Sequence, residues 1–299
     1  MNKQDVKNLT ISELRTYYAN LSTFKNPTQA TRETAISCLG AVGHSAKSEH
    51  GQIWGIDSYI VYLAPYKKSG FNVCAWASPE CIFSCLDESG HNRVNLQSGQ
   101  NIIDMCRIRR TILFKVNPTY FMTWIAAEII SNQKVAAKKG HIFSVRLNGT
   151  SDIAWEHVEY QSFTNIFAAF PDVIFYDYSK NPNRKISHIK NYSITFSYTG
   201  RNEPATLQVL ENQENAAIVF NTLKGSELPT TWKGYKVIDG DVTDYRPADC
   251  KGCVVGLRYK VSGKLSKSAT YDALKGNIFV VDAQGPDCEY VTAGPALSF

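Results

Sequence analysis

No stretch of this chain is apolar for long enough to cross a bilayer. The longest apolar run, "YFMTWIAAEII" at 120–130, carries Glu128 and falls well short of the roughly 20 residues a spanning helix needs. The opening residues, "MNKQDVKNLTISELRTYY", are polar and lack the apolar core of a secretory signal. There is no G-x-x-x-x-G-K-[ST] phosphate loop, no G-x-G-x-x-G and no G-x-S-x-G elbow, so nothing speaks for ATP, a dinucleotide or serine hydrolysis. None of the six histidines forms an H-x-x-x-H or H-E-x-x-H pair. Charge of one sign is also scarce. A formal net charge of +5 fits occasional phosphate contact and does not require a nucleic-acid partner. These absences predict an intracellular protein with no membrane partner. In that setting eight cysteines read as thiols or metal ligands before disulfides.

What is present is a folded chain of 299 residues, 43% hydrophobic and rich in tyrosine. That length allows one large α/β domain or two smaller ones. Residues 1–53 read as a helical and loop extension. In it Thr10 and Glu13 form a capping-box pattern, and "GAVGHSAKSEHGQ" (40–52) reads as a loop. From 54 to 299 short runs rich in Val, Ile, Phe and Tyr recur, among them "IDSYIVYLAPY", "HIFSVRLNG", "DVIFYDYS", "YSITFSY", "AAIVFN", "YKVIDGD", "CVVGLRY" and "NIFVVDA". Helices are expected over 107–117, over 118–140 between Pro118 and Gly140, over 154–170 and over 203–213. Strands alternating with helices predict a mainly parallel, barrel-like α/β fold, a complete or partial TIM-type barrel, with an open doubly wound sheet as its rival.

In either architecture ligands gather at the C-terminal ends of the strands. Asn148, Gly149, Asp152, Asp177, Lys180, Asp239, Asp241 and Asp244 are then expected on one rim. Asp152, Asp177, Lys180, Asp239 and Asp241 are the candidates for acid, base or nucleophile. Polar loops are ordinary, however, and Asp-Gly clusters also build turns.

The stretch "NVCAWASPECIFSCLDESG" (72–90) follows the first of these strands and places Cys74, Cys81 and Cys85 at C-x6-C-x3-C. Three thiolates on one loop suit a soft metal: zinc, if one of Cys250 and Cys253 in "DCKGC" completes the set, or an iron–sulfur cluster with an open iron. The competing reading is that these cysteines are small buried hydrophobes, which Cys38, Cys106 and Cys288 are expected to be. His91 is a further, weaker ligand candidate. The C-x-x-C of Cys250 and Cys253 also occurs in redox sites, although here it does not start a helix. "RIRR" (107–110) reads as a solvated helix face before a phosphate clamp.

Blocks such as "NVCAWASPECIFSCLDESG", "VRLNGTSDIAWE", "FYDYSK", "ITFSYTGRNE" and "LPTTWKGYKVIDGDVTDYRPAD" resemble, in order, those of the bacteriophage gene product 88 family. The resemblance spans about residues 54 to 283. It implies a phage origin, the cytoplasm of an infected host cell and a shared core, and little chemistry. A looser similarity is to radical S-adenosylmethionine enzymes, whose three-cysteine cluster loop follows the first strand of a partial barrel. It implies that cofactor held near Asn148, Gly149 and Asp152, although the usual spacing there is C-x3-C-x2-C. A second looser similarity is to deazaguanine transglycosylases, which implies Asp239 or Asp241 as nucleophile beside a structural zinc; their zinc motif is absent. Three functions follow as expectations: a cluster enzyme acting on a nucleotide or nucleic acid, a DNA base-exchange enzyme, and a non-enzymatic binder of DNA or a host protein.

Overall fold

The protein is described by a computed structural model covering residues 2–43, 46–85, 101–260 and 276–290. The expected capping box is formed. Thr10 caps helix α2 (Ile11–Ala19), and Glu13 reaches back to the Thr10 N–H at 2.8 Å. Helices α1 (Lys3–Asn8) and α3 (Pro27–Thr34) flank it, and Val6, Leu14, Tyr18 and Ala30 from the three helices are wholly buried. The segment expected to be a loop instead holds strand β1 (Gly40–Val42) and helix α4 (Ala46–Ile53). A carboxylate distant in sequence helps place β1. Glu128 accepts from the N–H groups of Leu39 and Gly40 and from the Tyr59 hydroxyl.

The longest helix is α7 (Pro118–Lys139), which follows α5 (Pro79–Phe83) and α6 (Ile102–Val116). Pro118 sits in its first turn, the Asn117 side chain caps it through the Tyr120 N–H, and Gly140 ends it with φ +71°. That left-handed conformation is inexpensive only for glycine. Its buried face carries Phe121, Trp124, Ile125 and Ile129, each worth about 2 kcal/mol of apolar burial.

The expected barrel is not what forms. Strands β2 (Ile56–Val61), β3 (Ile142–Arg146), β4 (Ile174–Ser179), β5 (Tyr192–Ser197), β6 (Ala216–Phe220), β7 (Thr231–Trp232), β8 (Tyr235–Asp239), β9 (Val254–Arg258), β10 (Val280–Val281) and β11 (Cys288–Glu289) join β1 in one mixed sheet. Its order is β1-β2-β3-β4-β5-β6-β9-β8-β7-β11, with β10 added to β6. The pairs from β2 through β9 to β8 are parallel, and the flanking pairs β1–β2, β7–β8 and β7–β11 are antiparallel. A barrel must close so that every strand has two neighbours. Here β1 and β11 end the path, and the sheet is open. Nor does a helix follow each strand, as a TIM-type ring requires. β4 passes to β5 through 180–191 without one.

The helix expected at 154–170 is also broken. It yields a 3-10 turn at Trp155–His157 and the single turn α8 (Ile166–Ala169). Between them Tyr160 and Phe163 pair with each other, and Gln161 takes φ +52°. The helix at 203–213 forms as α9 (Glu203–Glu211).

Strand alternation gives the sheet two unlike faces. Tyr59, Val61, Phe143, Val145 and Phe175 point into the core with α6 and α7. The other face is polar. Ser58 and Ser144 meet hydroxyl to hydroxyl at 3.0 Å, and Arg146 lies 4.5 Å over the Tyr178 ring.

Candidate functional site

Three segments meet beyond the C-terminal ends of β2, β3 and β4. The Asp152 N–H donates to the Val73 carbonyl at 2.8 Å, fixing the loop after β3 against the cysteine loop after β2. Asp152 then accepts from the Ser179 hydroxyl at 2.7 Å and from the Lys180 N–H at 2.9 Å, which fixes the end of β4. Cys74 is seated between these segments. Its Sγ accepts from the Tyr66 N–H at 3.4 Å and donates to the Thr150 carbonyl at 3.7 Å.

The half-buried Lys180 brings a cation to this edge. Burial pulls its pKa down, but Cys81, Asp152, Cys74 and Cys85 act on it in the opposite sense, and the net shift is upward. Lys180 therefore stays an ammonium ion within electrostatic reach of all three loop cysteines. Cys74 itself is pushed up to about 11, chiefly by burial, with Lys180 among the groups that oppose the rise. It is a thiol at neutral pH. The outer side of the loop is tied to the end of β5 by Arg201, whose Nε and Nη2 grip Glu80 at 3.0 and 2.5 Å.

Beneath the edge lies a closed polar network. Asp177 accepts from the Asn148 N–H at 2.6 Å, from Asn148 Nδ2 at 3.3 Å and from the Tyr192 hydroxyl at 3.0 Å. Burial nevertheless outweighs these donors and pushes its carboxyl up to about 7. Asn148 Oδ1 in turn gathers the Ser151 hydroxyl, the Ile153 N–H and the Trp155 indole N–H. Arg184 closes the network, clasping Glu156 with two bonds of 2.5 Å and the Tyr192 hydroxyl with one of 2.9 Å. Asn148 and Asp177 thus shape the loop that carries Asp152. Gly149 has a packing role: a Cβ there would lie 2.6 Å from the Val61 carbonyl oxygen.

The aspartates of 239–244 form a second cluster. β8 stands four strands from β4 in the sheet order. Asp239 pairs with Arg258 at 2.8 Å and Asp241 with Lys47 at 2.9 Å. Asp244 reaches back over the polar face to Arg146 at 2.9 Å and accepts from the Tyr176 hydroxyl at 3.2 Å. Burial raises the Asp244 pKa, but Arg146 and Lys47 more than offset this and hold it below the usual range.

Other expectations are relocated. Cys250 and Cys253 form a disulfide just before β9, at the N-terminal edge of the parallel strands. The thiol loop lies at the C-terminal edge, so neither can complete a four-thiolate site with Cys74, Cys81 and Cys85. "RIRR" is structural rather than solvated. Arg109 donates to the Lys7 carbonyl, Arg110 to those of Cys38 and Tyr62, and Arg107 lies over the Tyr62 ring. His91 falls outside the described residues. Among the described residues, no group of three or more His, Cys, Asp or Glu side chains is set to hold a metal ion, and no helix is long and apolar enough to cross a membrane. Sequence reasoning passed over Arg146, Glu156, Arg184 and Tyr192. An arginine closing a mostly apolar strand, as Arg146 does in "IFSVR", was the available signal.

The fold and site define an open mixed α/β protein whose central strands end at an edge bearing the three loop thiols and the Lys180 ammonium ion. The chain matches the family model described as gene product 88 over residues 23–273, and it belongs to that family. No curated protein and no solved structure matches it. The looser likenesses to radical S-adenosylmethionine enzymes and to deazaguanine transglycosylases gain no support from a relative.

Proposed function

We propose that this protein is an enzyme of the infected host's cytoplasm whose reactive centre is the thiol edge, with Cys74, Cys81 and Cys85 as ligands of an iron–sulfur cluster or another soft metal. The observation that supports this reading is Lys180, one ammonium ion within electrostatic reach of all three cysteines and Asp152. The donor chemistry fits: thiolates are soft ligands, and a neighbouring cation offsets the negative charge that three of them bring. Asp152 is occupied by Ser179, Lys180 and Arg184, so the three cysteines would be the ligands that the protein supplies. A cluster held there would supply an iron to which a substrate or a cofactor such as S-adenosylmethionine could bind. As a ligand, Cys74 would give up its thiol contact to Thr150. The substrate class we propose is a nucleotide or nucleic acid, whose phosphates Lys180 would attract.

Base exchange by Asp239 or Asp241 is the weaker reading, because Arg258 and Lys47 already pair with these carboxylates. Titration with Co²⁺ under nitrogen tests the thiol site directly. The expected result is a sulfur-to-metal charge-transfer band at one equivalent, lost in Cys74→Ala/Cys81→Ala/Cys85→Ala. No band in the wild-type protein would rule the site out as a thiolate metal centre.

A further inference from the structure

We infer that Cys250 and Cys253 form a thiol–disulfide exchange site, separate from the thiol edge, that trades electrons with an external dithiol. The two sulfurs have unequal surroundings. Cys250 is exposed, whereas Cys253 is 3% exposed. The buried half is anchored independently of the bond. The Cys253 N–H donates to Asn215 Oδ1 at 3.0 Å, and its carbonyl accepts from the Ala216 N–H at 3.3 Å, at the start of β6. Opening the disulfide therefore leaves β9 in its place in the sheet.

The reduced form also has a partner ready. The Lys251 carbonyl oxygen lies 3.6 Å from Cys253 Sγ, where a released thiol can donate to it. The turn between the cysteines is made at Gly252, whose φ of +67° suits glycine. One accessible sulfur, one shielded sulfur and a scaffold indifferent to the bond are what repeated exchange needs. In a thiol-reducing compartment, disulfides that form are mostly transient, catalytic or redox-sensing.

The exchange runs in two steps. A thiolate of the dithiol attacks the Sγ of the exposed residue Cys250, and the bond to Cys253 breaks, with Cys253 leaving as a thiolate that takes a proton. The second thiol of the dithiol then attacks its own mixed disulfide, and Cys250 is released. Two electrons pass to the protein, and the dithiol becomes a disulfide.

The test uses the full-length protein in graded dithiothreitol redox buffers, with alkylation and peptide mass analysis that separate this pair from the other six cysteines. We expect a single reversible two-electron transition. After opening, Cys250 should alkylate at least ~10-fold faster than Cys253, as exposure dictates. With glutathione disulfide, Cys253→Ser should trap a mixed disulfide at Cys250, and Cys250→Ser should trap little at Cys253. The proposal is overturned if both cysteines alkylate fully in aerobically prepared protein without reductant, or if the transition is irreversible. It is equally overturned if trapping is no greater at Cys250 than at Cys253. None of these readouts depends on metal at the other edge.

Discussion

Asp152 holds Lys180 by its backbone: the Lys180 N–H donates to Asp152 Oδ2 at 2.9 Å, while Ser179 occupies the other oxygen. The carboxylate of one strand's loop thus sets where the ammonium of the next strand stands. Asp152→Ala leaves the buried Ser179 hydroxyl without its acceptor and the Lys180 N–H without its partner. The expected loss is about 1–3 kcal/mol for each unsatisfied group, read in urea denaturation. Asp152→Asn, which keeps one acceptor oxygen, should lose less. Equal losses in the two variants would contradict this role.

Lys180→Met removes the cation among the thiols. The alkylation rate of Cys74 at neutral pH should fall, because its thiolate loses a neighbouring positive charge. Rates of iodoacetamide labelling followed from pH 6 to 10 read this directly, in metal-free protein. Unchanged profiles would remove Lys180 from the electrostatics of the edge.

Asp177 makes stability depend on pH. Its carboxyl is pushed up from 3.8 to about 7 in the folded protein, mainly by burial. Between those values the native state binds more protons than the unfolded chain, so stability falls as pH rises through the window and levels off above it. Asp177→Asn should abolish this component. The measurement is the urea midpoint of both proteins at pH steps from 4 to 8. Parallel curves would place the titration elsewhere.

Arg146 and Asp244 are a buried pair separated by 98 residues in sequence. Arg146→Met leaves the buried Asp244 without its directly paired cation, with Lys47 and Arg246 acting only through space, and a loss of up to about 3–5 kcal/mol is expected. Arg146→Met/Asp244→Leu should recover much of it, since no buried charge is then left unpaired and only the Tyr176 hydroxyl loses its acceptor. A double variant no more stable than the single one would show that the pair does more than balance charge.

Local signals in the sequence were reliable where the cause of structure is local. Thr10 with Glu13 starts α2, Pro118 and Gly140 bound α7, and runs of Val, Ile, Phe and Tyr mark the central strands. Alternating elements do not encode closure, which depends on whether the two edge strands meet, and the barrel expectation failed there. The helix expected at 154–170 failed because tertiary partners claim it. Asn148 holds Trp155, and Arg184 holds Glu156. At the site, Asp152 and Lys180 were legible as polar strand ends and Cys74 as part of the three-cysteine loop. The role of Asn148 and Asp177 beneath them was not, because it depends on hydrogen bonds between neighbouring strands.

The central claim is that the loop cysteines hold a metal centre. Iron, zinc and acid-labile sulfide should be measured in protein purified without oxygen, for the wild type and for Cys74→Ala/Cys81→Ala/Cys85→Ala. The account predicts metal bound in the wild type, with sulfide if it is a cluster, and none in the triple variant. Metal-free wild-type protein that also fails to take up iron and sulfide on anaerobic reconstitution would contradict it, leaving the three cysteines as packed thiols beside Lys180.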